Sequence, residues 1–195
     1  MTKGRPREFD ADKALNRALM IFWRKGYEGT SLSDLTTAMG ISRPSLYAAF
    51  GNKESLFRKA VDRYAEGPTA YCRLALQAPT ARAVAEQLLR GTVSLLTDPR
   101  NPRGCLIVQG ALTCGKESDS IRKELISRRT AGQTAIRRRF QRAKTDGDLP
   151  ASASPADLAR FVATIIHGLS VQAAGGAKRA ELQRVVQTAL KAFPG

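Results

Sequence analysis

The chain has 195 residues, enough to bury a sizeable core as one domain or as a small module joined to a larger one. Its 32 lysines and arginines against 17 acidic residues give a formal net charge of +15, which favours a polyanionic partner, but residues 1–66 hold 12 basic and 8 acidic side chains, so most of the excess lies beyond them. The apolar run at residues 18–23 is too short to span a membrane, three cysteines fit reduced thiols in a cytoplasm, and one histidine without any CxxC, HExxH, Walker-type or GxGxxG pattern leaves no catalytic, metal or cofactor site to write.

Apolar side chains recur at helical spacing almost throughout and no stretch alternates with period two, so the fold class is all-α, with about nine or ten helices. The first helix opens near Asp10, lines Ala11, Leu15, Ala18, Leu19 and Phe22 along one face, and stops at Gly26. The second starts from a capping box of Ser31 and Asp34, turns Leu32, Leu35 and Met39 inward, and ends on Gly40 in the left-handed conformation. The third is about seven residues long, with Ser42 as its cap and Pro44 in the first turn, where a missing amide proton does no harm. A fourth runs from Asn52 through Leu56, Phe57, Ala60, Val61 and Tyr64 until Gly67 and Pro68 break it.

A short helix introduced by a tight Gly40-Ile41 turn after another short helix presents its N-terminus to the major groove of DNA. Arg43 can read a guanine edge or bind a phosphate, while Pro44 and Ala48 offer apolar surface to a thymine methyl. Ser45 and Tyr47 can donate to phosphate oxygens, and Lys53 is placed to clamp one. The amides behind Ser31 and Ser42 add anion contacts. Leu46 and Phe50, four apart, face the core.

From Ala14 to Phe57, the pattern Ala18-Leu19, Phe22, Gly26-Tyr27, Thr30-Ser31, Leu35, Met39-Gly40-Ile41-Ser42, Ser45-Leu46-Tyr47, Phe50 and Lys53-Glu54-Ser55-Leu56-Phe57 resembles the DNA-binding domain of the tetracycline-repressor family. The resemblance implies a non-enzymatic, all-helical homodimer, usually a repressor, released from a palindromic double-stranded operator by a small-molecule effector. It maps the family's DNA contacts onto Ser33, Arg43, Pro44, Ser45, Tyr47 and Lys53. The aromatic-histidine pair common after the recognition tyrosine is Ala48-Ala49 here, so operator preference does not transfer. The tail, with Arg5 and Arg7 around a Gly-Arg-Pro pattern, is similar to arms that enter a narrow minor groove. The expected organisation is a basic arm at 1–8, a helix-turn-helix domain at 9–66, and an effector-binding and dimerisation domain at 67–195.

Turn chemistry divides the second half into helices over about 69–78, 80–97, 104–115, 118–146, 155–174 and 178–193. In the family the last two helices form the dimer interface, which places Phe161, Ile165, Ile166, Leu169, Leu182, Val186 and Leu190 on the seam. His167 reads as a core or interface histidine. Residues 104–114 are apolar on nearly all sides. Cys105 is expected in the first turn of that helix, with Arg100 and Arg103 near in sequence to favour its thiolate; some family members with a Gly-Cys-Leu segment here are similar to electrophile or oxidant sensors, and a merely packed thiol is the alternative. Candidate effector contacts are Leu88, Thr92, Cys105, Val108, Gln109, Leu112 and Phe140. Glu86 is the only acid between residues 67 and 97, which argues against an organic cation and for a neutral, weakly anionic or electrophilic effector. Residues 116–144 hold ten basic and three acidic side chains and read as a solvated helix face.

Overall fold

The structure, a computed structural model, describes residues 9–113 and 118–194; the side chains of residues 111–113 lie outside that description. The described residues form ten helices and no strand: α1 Ala11–Lys25, α2 Leu32–Met39, α3 Arg43–Phe50, α4 Lys53–Glu66, α5 Tyr71–Ala75, α6 Ala81–Leu96, α7 Leu106–Thr113, α8 Asp119–Thr145, α9 Pro155–Ala174 and α10 Arg179–Ala192.

Short polar side chains start the first four helices. Asp10 accepts from the amides of Asp12 and Lys13, Ser42 from that of Ser45, and Asn52 from that of Ser55. At α2 both arms of the capping box form: Ser31 caps the Asp34 amide and the Asp34 carboxylate accepts from the Ser31 amide at 2.9 Å. Each satisfies an amide that helix geometry leaves without a partner, and such a cap contributes about 1 kcal/mol. Gly40 ends α2 at φ 69°, ψ 36°, a left-handed turn that aims α3 across α2.

Phe22, Leu35, Leu46, Phe57 and Tyr64 are fully buried where α1–α4 converge, each worth roughly 1.5–3 kcal/mol removed from water. Phe22 and Phe57 meet edge to face at 5.0 Å. Leu106 of α7 and Ile121 and Leu125 of α8 belong to the same core, so the N-terminal helices share their interior with the rest of the chain. A second core joins α6, α8, α9 and α10 through Leu88, Leu89, Val162 and Leu182, with Phe140 against Phe193 at 5.4 Å.

Three expectations change. The helix anticipated over 69–78 is reduced to Tyr71–Ala75, because Gln77 and Ala78 close three-residue turns onto Leu74 and Ala75 ahead of Pro79. The helix after Gly104 begins one residue later than a first-turn Cys105 requires. Gly104 takes φ 85°, and Cys105 flanks α7, its carbonyl accepting from the Gln109 amide. Finally, the basic stretch of α8 is not wholly solvated: Arg139 is turned inward, donating to the carbonyls of Ala78 and Pro79 at 2.8 and 3.0 Å and so pinning the turn before α6.

Candidate nucleic-acid interface and effector cavity

The start of α3 projects from the N-terminal core. Ser42, Arg43, Pro44 and Tyr47 are exposed, as are Ser31 and Ser33 at the start of α2, while Leu46 and Phe50 hold the helix from beneath. Tyr47, 48% exposed, packs on no other ring among the described residues, so its ring and hydroxyl are open to a partner. Arg43 makes no ion pair among the described residues, leaving its five donors available. The hydroxyls of Ser42 and Ser45 lie 2.9 Å apart, and the Ser31 hydroxyl is held by Asp34; an anion at either helix start is met chiefly by the amides of the residues that follow Ser31 and Ser42. Lys53 is half-buried with its ammonium 4.4 Å from the centre of the Tyr27 ring, and burial lowers its pKa from the usual lysine value. Arg17, which no local pattern singled out, reaches the Met39 carbonyl and braces the turn at Gly40. Arg5 and Arg7 lie outside the described residues.

Beneath this module, α5–α9 enclose an apolar cavity of about 320 Å³. Of the anticipated contacts, Leu88, Thr92, Cys105 and Val108 line it. Phe140 does not: it is fully buried against Phe193 on the far side of α8. Gln109 folds back over Gly104, where a Cβ would lie 2.0 Å from its amide oxygen, so it packs on the loop rather than lining the cavity. The side chain of Leu112, and all of Cys114, lie outside the described residues. The liners that no local pattern marks include Tyr71, Cys72 and Arg129. Tyr71 lies so close over Gly91 that a Cβ there would meet its ring at 2.3 Å. Thr92 gives its proton to the Leu88 carbonyl and so accepts from the Tyr71 hydroxyl at 2.9 Å. His167, expected in a core or interface, also lines the cavity.

The 104–105 loop ties the cavity to the DNA-binding helices. Trp23 of α1 donates its indole N–H to the Gly104 carbonyl at 2.8 Å, and the hydroxyl of Tyr64 on α4 donates to Cys105 Sγ at 3.4 Å. Burial lifts the Tyr64 phenol well above its ordinary range, so it remains a donor. Trp23 and Tyr64 pack edge to face at 4.7 Å, making one unit of the two contacts. The two arginines that lie near Cys105 in sequence are turned to other partners. Arg100 is spent on Asp98 and the Arg103 guanidinium lies against Gly176. A second tie is ionic: Arg128 of α8 bonds Asp62 of α4 at 2.6 Å and Glu124 at 2.7 Å, and Glu124 also receives Arg58 of α4 at 2.7 Å.

On α9 and α10 the anticipated seam divides. Leu169, Leu182, Val186 and Leu190 are buried in the protomer's own core, and Ile166 faces the cavity, because the broad apolar face of α9 is taken up by α6 and α8 and that of α10 by α6 and α9. Phe161 and Ile165 remain half-buried, and beside them an open groove carries Gly168, Val171 and Val185, the two valines 50% and 43% exposed. Among the described residues no helix is long and apolar enough to cross a membrane, and no group of three or more histidine, cysteine or acidic side chains is placed to hold a metal.

A helix-turn-helix tied by direct contacts to a ligand-sized cavity defines a DNA-binding regulator that carries its own sensor. Comparison with known proteins agrees. Residues 14–60 match the bacterial regulatory proteins of the tetR family, and residues 81–189 match the tetracyclin repressor-like C-terminal domain. The chain is 32% identical to the transcriptional repressor ComR of Escherichia coli K12 over 195 residues, covering 99% of this chain and 93% of ComR. It superposes on a cysteine-substituted variant of the regulator CifR, solved with 26-base-pair operator DNA, with a TM-score of 0.94 at 48% identity, covering 98% of this chain and 100% of that one. A regulator from Rhodococcus sp. RHA1 is 42% identical with a TM-score of 0.63, over 93% and 97% of the two chains. The chain belongs to the tetracycline-repressor family. It is a transcriptional regulator that binds double-stranded DNA, not an enzyme, in a family whose members act as homodimers and answer to small molecules.

Proposed function

We propose that this regulator is a cytoplasmic repressor that sits as a homodimer on a palindromic operator and leaves it when a small electrophile reacts at Cys105. The observation that carries this reading is the Tyr64–Cys105 hydrogen bond: the thiol on the cavity wall touches the helix that bears on the DNA-reading module. Alkylation or oxidation of the sulfur adds bulk against a fully buried phenol and beside the Trp23–Gly104 contact, pushing the Tyr64 hydroxyl off the acceptor it holds. The α4 helix must then shift, and with it the spacing of the two recognition helices in the dimer.

In this reading residues 1–8 form a basic arm, with Arg5 and Arg7 for the minor groove. Residues 9–66 read the operator through Arg43, Pro44 and Tyr47, with Ser31, Ser33, Ser42, Ser45 and Lys53 on the backbone. Residues 67–195 bind effector and partner, the seam running along Phe161, Ile165, Gly168, Val171 and Val185. The test is a gel shift of the intergenic DNA beside the regulator's own gene, repeated with p-benzoquinone, an aldehyde and hypochlorite. Wild type is expected to bind and be released; Cys105→Ser is expected to bind and stay bound. A wild type that no electrophile releases removes Cys105 from sensing.

A further inference from the structure

We infer that the cavity contains a carboxylate subsite, anchored by Arg129 with His167 beside it, and that the electrophilic effector carries an anionic head on a short apolar body. This rests on the reading of the cavity as the effector site and names the ligand class. Most of the wall is hydrocarbon, from Leu88, Leu95, Val108, Ile136 and Ile166. Apart from the phenol of Tyr71 and the thiols of Cys72 and Cys105, the titratable lining is basic, comprising Arg73, Arg128, Arg129 and His167, with no aspartate or glutamate among the lining residues.

The three arginines are not equivalent. Arg73 is exposed to water, and Arg128 is neutralised by Asp62 and Glu124. Arg129, the next residue of α8, is half-buried and makes no ion pair or hydrogen bond among the described residues. A guanidinium partly withdrawn from water beside hydrocarbon lacks both solvation and counter-charge, a cost that a bound anion relieves. Its planar fork matches the two oxygens of a carboxylate.

His167, half-buried on α9, supports the same ligand. Burial first, and then the charge of Arg129, hold its pKa below the ordinary 6.5, so the ring is neutral near pH 7 and can donate one N–H without adding a second cation. The field that attracts a carboxylate repels an organic cation, and a neutral amide leaves Arg129 without its counter-charge. About 320 Å³ lies at the low end of the roughly 300–1,000 Å³ typical of small-molecule sites, so the apolar body is short. Because Arg128 holds α4 through Asp62, a ligand that draws Arg129 inward acts on the turn of α8 that grips the DNA-binding helices.

The test uses full-length protein without DNA, titrated calorimetrically with octanoate and with octanamide, which differ in the head group and carry no electrophile. Octanoate is expected to bind about tenfold or more tighter than octanamide. Arg129→Gln is expected to erase that preference while leaving amide affinity unchanged, and Arg73→Gln to preserve it. Arg129→Lys, which keeps the charge without the fork, should retain part of it. Equal affinities for acid and amide, no binding of either, or a preference that survives Arg129→Gln overturns the subsite. Operator release is read separately with the electrophiles: a wild type that binds octanoate through Arg129 yet is released by no electrophile refutes Cys105 sensing, not the carboxylate subsite.

Discussion

Arg43 stands exposed at the first position of α3 with no ion pair among the described residues. If it reads a base edge, Arg43→Ala should cost about 1–3 kcal/mol of operator affinity and relax preference at one base pair of each half-site. Fluorescence anisotropy on operators substituted one base pair at a time measures this, and a uniform loss across all of them would assign Arg43 to phosphate instead. Asp34 acts at the same scale on stability. Its hydrogen bonds to Lys25 and Ser31 bring its pKa from 3.8 down to about 2. A folded-state pKa below the unfolded one means stabilisation that is complete above the ordinary value and lost as pH falls through the folded one. The melting temperature of Asp34→Asn should therefore lie below that of wild type at pH 6, and the gap should close between about pH 4 and pH 2. A gap of constant size across that range would exclude the charge as its cause.

Among the elements, α4 faces both ways, toward the recognition helix through Leu56 and Phe57 and toward the cavity through Tyr64. Tyr64→Phe keeps the ring packed on Trp23 and deletes the hydroxyl that donates to the thiol and meets the Leu106 amide, so its cost in stability should stay near 0.5–1.5 kcal/mol. Operator affinity should hold. Release per Cys105 adduct, with adducts counted by intact mass, should fall several-fold; equal release per adduct would show that the hydrogen bond transmits nothing.

The elements differ in how far the sequence announced them. The start of every DNA-binding helix was legible because a cap needs only a side chain two or three residues from its amide, as at Asp10, Ser31, Ser42 and Asn52. The boundaries of α9 were legible for the same reason, from Ser154-Pro155 and Gly175. The cavity was not. Tyr71, Arg129 and His167 come from three helices, and which face each presents depends on packing between segments 38 or more residues apart. Phe140 shows the opposite error: it has the right spacing along α8 but points away from the cavity.

At the scale of the whole molecule, the single chain leaves Val171 and Val185 in an uncovered groove beside Gly168, where a second copy can approach closely. Two α3 helices must be held about one DNA turn, roughly 34–36 Å, apart to engage two half-sites. Val171→Asp places a charge on the proposed seam and should convert the dimer to monomer in light scattering while circular dichroism stays helical. It should lower operator affinity steeply, because each half-site is then bound alone. A variant that remains dimeric would move the seam elsewhere.

Trp23 is the only tryptophan in the chain. It is 4% exposed, stacked edge-on to Tyr64, and hydrogen-bonded to the carbonyl of the residue before Cys105. The protein thus carries an internal fluorophore at the joint between its two halves. Indole emission responds to the loss of a hydrogen bond and to entering water, so filling of the cavity and movement of α4 can be timed separately in unlabelled protein. Quenching that precedes loss of DNA would show that the joint opens while the operator is still held.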